Sequence, residues 1–346
     1  MTASLATSRS DDSPWYIKLM LGISGWFASL FLFGFLGLGF LELLQNILAS
    51  LVTGLVLVGI AWAILRSHPN DFLEHLALAI SLAGQALVIW SIFRASNAPH
   101  TVVPWLVTAV FQLVLIRIMP DFLHRVFSTL VASYALGLTL MLGGLVSVSQ
   151  GLFILLTGWV WLKQSAYPQH GQLMRAAGFG LALNLISMSS VTVGLQELGT
   201  VMADAIPASA AAGFSWFTPW LSKSLAALAS LAVVAMMLIH YQQPLTHKPA
   251  LLALGGALFV AAVAFVAPGL NAGLIVLLMG VHARSRVMAG LGLIALLYFM
   301  SRYYYFLGET LLFKSASLLV LGLLMLLGRW LFLRWLPRTG EGGAHG

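Results

Sequence analysis

Long apolar runs, cut by short polar turns, repeat along almost the whole chain. A helix needs about 20 apolar residues to cross a hydrocarbon layer of roughly 30 Å. Runs of that kind occupy residues 19–41, 46–65, 73–92, 102–119, 126–145, 147–162, 175–195, 219–239, 250–267, 269–283, 287–306 and 311–333. The pattern predicts an all-α, polytopic transmembrane helical bundle of about twelve spans. The intervals carry the residues that end helices: Arg66-Ser67-His68-Pro69-Asn70-Asp71, Ser96-Asn97-Ala98-Pro99-His100, Pro120-Asp121, Gln164 to Gln172 and Gln242-Gln243-Pro244. Proline lacks the backbone N–H and clashes with the preceding turn, so it closes a helix.

Charge fixes the expected orientation. With twelve spans and the N-terminus inside, Arg94, Lys223, Arg302 and Lys314 fall on the outer side, and the other thirteen of the seventeen Lys and Arg fall on the inner side. That asymmetry follows the positive-inside rule and places both ends in the cytoplasm. The stretch 250–283 is long for one crossing and short for two, with Pro268-Gly269 at its middle. Two short spans or a re-entrant hairpin both satisfy the flanking Lys248, Arg284 and Arg286. The longest outer loop, Glu197 to Pro219, holds Phe214, Trp216 and Phe217, with Trp220 just beyond. It reads as an interfacial helix with an aromatic belt, or as a lid.

Composition strengthens the membrane reading. Of 346 residues, 60% are hydrophobic and 8% charged, where soluble domains carry about 25% charged residues. The mean hydropathy is +0.97. Too few polar groups exist to cover a water-facing surface. The formal charge of +7 is spread over span ends and forms no basic patch, so no nucleic-acid partner is expected. The chain has no cysteine, which excludes disulfides and thiolate metal sites. Residues 1–14 and 337–346 are polar or Gly-rich and are expected to be disordered cytoplasmic tails around a single transmembrane domain, 15–336. The first apolar run is longer than the 7–15 residues of a cleaved signal segment, so it reads as a retained span.

A charge at the bilayer centre costs about 2.5–3.5 kcal/mol on insertion scales, so polar groups within spans require explanation. The densest cluster is Arg302, Tyr304, Glu309 and Lys314, joining the last two spans. Arg302 and Glu309 are seven apart and share a face if the helix persists. The cluster is either a charged site or an ion pair and aromatic belt that lock the last hairpin. Glu74, beside His75, opens the third span; the pair reads as a proton relay, since His titrates near neutrality, or as a helix-start acid that suits the positive end of the dipole. Gln85 and Asn184 lie nearest mid-span, and Gln112 and Gln150 lie in or near spans. Amides in lipid hydrogen-bond neighbouring helices or line a solute path. The nine histidines are scattered, mostly in loops, with no metal-ligand spacing. No Walker A loop, H-E-x-x-H or G-x-S-x-G occurs. No catalytic residues, metal or cofactor are expected, and the chain is not read as an enzyme.

Two stretches carry a family resemblance. Pro14-Trp15-Tyr16-Ile17-Lys18-Leu19 opens into Gly25-Trp26 and Gly34-Phe35-Leu36-Gly37, and Arg302 to Ser315 leads into the run Leu318 to Leu324. Together they resemble an uncharacterised bacterial inner-membrane family, the domain of unknown function numbered four thousand four hundred and one. The resemblance spans residues from about 14 to 335. It implies a multi-pass protein of the bacterial inner membrane, often encoded beside a small membrane protein with a G-D-Y-x-x-L-x-Y motif, and so possible membrane-protein partners besides the lipid bilayer. It implies no known activity. The expected role is a component of a membrane or envelope assembly, with a secondary transporter or channel for a small solute as the alternative.

Overall fold

The computed structural model describes residues 44–67, 71–96, 101–201, 217–242, 248–266 and 269–306, with isolated positions elsewhere. Apart from those isolated positions, the predicted first and last spans and both tails lie outside the described residues. Within them the protein is helical, with no strand. The helices are α1 (Ile47–Arg66), α2 (Asp71–Ser96), α3 (Val102–Ile118), α4 (Phe122–Leu142), α5 (Val146–Lys163), α6 (Gly171–Val201), α7 (Phe217–His240), α8 (Lys248–Val266), α9 (Leu270–His282) and α10 (Arg286–Phe306). Each predicted span between residues 46 and 306 coincides with one of them. Six helices (α1, α2, α4, α5, α7 and α10) are long and apolar enough to cross a membrane, and α3, α8 and α9 contain shorter apolar segments.

Local chemistry explains the helix ends. Asn46 caps α1, its side-chain oxygen accepting from the Ala49 N–H at 3.1 Å, which satisfies a first-turn donor. Asp121 does the same for α4 through the His124 N–H. Pro104, Pro249 and Pro219 sit in the first turns of α3, α8 and α7, where no N–H is required. Pro219 therefore lies inside α7 and does not close a loop before it. Likewise α6 runs on to Val201, past Glu197, where the outer loop was expected to begin. Its remainder, 202–216, is outside the described residues.

The chain divides into two compact units, 1–125 and 126–346. In the first, α1 and α2 approach until their backbones touch. A Cβ on Gly54 would lie 2.7 Å from the Gly84 oxygen, and one on Gly84 2.6 Å from the Gly54 oxygen. Small residues permit such contact between membrane helices, where dispersion and not water expulsion drives association. Val58, Ala61, Leu65, Ala77, Leu115 and Met119 fill the core beside it.

In the second unit, Phe153, Ile154, Leu181, Leu185, Ile275, Met279 and Phe299 build the core. The stretch 250–283 is two helices, with Gly269 at φ 94° as the N-cap of α9. A side chain on Gly269 would strike the Phe299 ring. The 13 residues of α9 give about 20 Å of helix at 1.5 Å per residue, short of a full crossing. A tight turn returns the chain into α10: the Ser285 N–H donates to the Gly280 oxygen at 2.9 Å and Arg284 adopts φ 51°. Gly280 and Gly292 then lie directly on the α10 and α9 backbones.

Candidate functional site

Two buried polar sites arise in these helices, one in each unit. In the first unit, Ser81 and Gln85 are four residues apart on α2 and so share a face. Gln112 comes from α3 and His124 from the first turn of α4. All four are buried. Ser81 Oγ lies 2.7 Å from His124 Nε2, and Gln85 Nε2 lies 3.0 Å from the same nitrogen. Gln85 Nε2 also donates to Ser81 Oγ at 3.2 Å, and Gln112 Nε2 donates to Gln85 Oε1 at 2.9 Å. With Gln85 Nε2 as the donor, His124 Nε2 accepts and the ring proton is carried on Nδ1. The backbone that carries the ring is fixed at the start of α4, where Asp121 Oδ2 accepts the His124 N–H at 2.6 Å. Arg125 Nε donates to the Met119 oxygen at 2.7 Å. Within this network of four side chains, Gln112 Oε1 is buried without a hydrogen-bond partner.

The Ser81–His124 spacing is that of a nucleophile and its base. The surroundings argue otherwise. Ser81 lies in the middle of α2 and is wholly buried, and the Gln85 amide occupies both Ser81 Oγ and His124 Nε2. The arrangement is suited to joining α2, α3 and the start of α4. Sequence reasoning singled out Gln85 and noted Gln112 but passed over Ser81 and His124. His124 is a helix residue, not one of the loop histidines expected. The signal available was the i, i+4 pair Ser81 and Gln85, and the cap spacing from Asp121 to His124.

In the second unit the buried amides behave differently. Asn184 on α6 is fully buried, and neither its Nδ2 nor its Oδ1 has a hydrogen-bond partner. Asn271, the second residue of α9, is buried with Oδ1 unpartnered. Trp161 Nε1 on α5 is a further unpartnered buried donor, with its ring edge-to-face on Phe179 at 5.5 Å. Each such group costs about 1–3 kcal/mol when left unsatisfied, so a native fold keeps few of them without a reason.

Asn271 follows the break between α8 and α9, and that break is tied down. Lys223 Nζ on α7 donates to the Phe265 oxygen near the end of α8 at 2.8 Å. The Trp220 ring packs on Phe265 at 6.1 Å. Beyond Phe299 on α10, Arg302 is half-buried, and its Nη1 donates to Tyr298 Oη at 2.7 Å and to the Ser190 oxygen on α6 at 3.3 Å. Arg302 therefore bridges α10 and α6. Tyr304 is half-buried and meets Tyr305 edge-on at 5.9 Å. Glu309 and Lys314, expected to join Arg302, lie outside the described residues. Glu74 is an exposed residue of the first turn of α2, separate from the Gln85 network. The structure thus gathers Gln85 with new partners and leaves Asn184, Arg302 and Glu74 at distinct places. Among the described residues no three His, Asp or Glu group as metal ligands.

The chain matches the domain of unknown function DUF4401 over residues 14–335. It belongs to that family. No curated protein and no solved structure matches it. The DUF4401 match covers both units and so both polar sites, and the family description assigns an activity to neither.

Proposed function

We propose that this DUF4401 protein is a twelve-span protein of the bacterial inner membrane, with both termini in the cytoplasm, that moves a small polar solute without chemical conversion. The observation that carries the solute reading is Asn184, a carboxamide buried among membrane-type helices with donor and acceptor both unpartnered. In a bilayer protein such a group has no bulk water to turn to, and a bound solute supplies its partners. The interruption between α8 and α9 supports the same reading, since helices that break within a bundle place polar atoms where solutes bind. The Gln85 network is read as the structural counterpart that fixes the first unit.

The test is a thermal-shift screen of the detergent-purified protein against ions, amino acids, sugars and nucleosides, repeated with Asn184→Leu. A ligand that binds only the folded state raises stability by about 2.7 kcal/mol at a hundredfold excess over its dissociation constant. A hit that depends on Asn184 leads to a flux assay in proteoliposomes. If no solute stabilises well-folded protein, the solute reading fails. The remaining role is then the assembly component implied by the family resemblance, to be tested by capturing neighbouring membrane proteins. Reporters fused to each terminus test the topology, and an outside C-terminus would contradict the twelve spans.

A further inference from the structure

The facing surfaces of α4 and α6 define what surrounds Asn184. A Cβ on Gly180 would lie 2.6 Å from Thr129 Cβ and 2.7 Å from the Val126 oxygen, so Gly180 faces α4. A Cβ on Gly137 would lie 2.8 Å from Met188 Cε, so Met188 faces α4 as well. Asn184 stands one turn from each, on the same stripe of α6. The register that sets Gly180 against Thr129 and Met188 against Gly137 sets Asn184 across from Ser133. The seam therefore runs Thr129, Ser133, Gly137 on α4 and Gly180, Asn184, Met188 on α6. Ser133 and Thr129 are buried. The Ser133 hydroxyl is directed into its own helix, donating to the Thr129 oxygen at 2.7 Å.

We infer that this seam takes a neutral solute bearing a hydrogen-bond donor and acceptor side by side, such as a primary amide, a urea or the edge of a nucleobase. The inference rests on the solute reading above and adds its chemical class. No residue of the two stripes is charged, so an ion entering there meets no opposite charge. A cation on Oδ1 leaves Nδ2 unsatisfied, and an anion on Nδ2 leaves Oδ1 unsatisfied. A planar amide-like group satisfies both with two bonds of ordinary length, about 2.9 Å. A site built for paired hydrogen bonds rejects analogues that lack one of them, because its own buried group is then stranded.

The experiment uses the full chain in detergent with acetamide, urea and uracil as neutral probes, and acetate and ethylammonium as charged controls at matched ionic strength. Thermal shift is read for the native protein and for Asn184→Leu and Asn184→Asp. The expected result is a saturable rise in Tm with at least one neutral probe, absent in Asn184→Leu. In Asn184→Asp, which loses the donor, the apparent Kd should rise roughly tenfold or more. An Asn184-dependent shift with acetate or ethylammonium alone overturns the chemical class and keeps the solute reading. The absence of any Asn184-dependent shift on folded protein overturns both, as does an equal shift in Asn184→Leu. If Asn184→Leu does not fold, Asn184→Ala provides the same comparison.

Discussion

The units on either side of Arg125 treat the same chemical group in opposite ways. Before it, α2, α3 and the start of α4 bring Ser81, Gln85, Gln112 and His124 together, and only Gln112 Oε1 is left over. After it, Asn184 sits on a seam of small and apolar residues with both amide atoms unpartnered, and Asn271 Oδ1 is unpartnered beside a helix break. A buried amide is therefore no sign of function in itself. Where other helices answer it, it holds the bundle together; where none does, its stability cost needs another explanation. On the proposed reading the first site is structural and the second is where a solute binds.

The largest expected effect breaks the first site. Gln85→Leu strands Gln112 Nε2 and removes a donor from His124 Nε2, and should lower stability by about 3 kcal/mol. Thermal unfolding in detergent checks it, and an unchanged Tm would mean that the network is dispensable. Prising the second seam apart should cost about as much: Gly180→Val sets a Cβ against Thr129 and the Val126 oxygen, so α4 and α6 must separate, at roughly 3 kcal/mol, and any Asn184-dependent ligand shift should be abolished. Asn184→Leu should act in the other direction and stabilise the ligand-free protein by about 1 kcal/mol, because an unsatisfied amide is replaced by a group of similar size that needs no partner. Arg302→Gln, which touches neither site, should show the smallest change, a loss of roughly 0.5–1 kcal/mol from the contacts to Tyr298 and Ser190.

Much of the fold was legible because lipid leaves few choices. Apolar runs of spanning length, with prolines and polar turns between them, place α1 to α10 within a few residues of their observed bounds. Where the expectation slipped, a helix continued through residues that read as loop: α6 past Glu197, and α7 through Pro219 in its first turn, where proline is tolerated. The sites were half legible. Gln85 and Asn184 stand out as amides in mid-span, yet nothing local distinguishes them. Their fates differ because of what faces them: His124, 39 residues from Gln85, and a seam set by the register of Gly180 on Thr129. His124 was missed because Pro120-Asp121 reads as a turn and conceals a capped helix whose third residue points inward. Arg302 was read through its neighbours in sequence, whereas one of its bonds reaches Ser190, 112 residues away.

Opposite roles for the two buried amide sites are separated by the Tm of ligand-free Gln85→Leu and Asn184→Leu, compared with the native protein in one detergent. A clear fall is expected for Gln85→Leu and a rise for Asn184→Leu. A comparable fall in both would contradict those roles, since Asn184 would then be making structural bonds of its own.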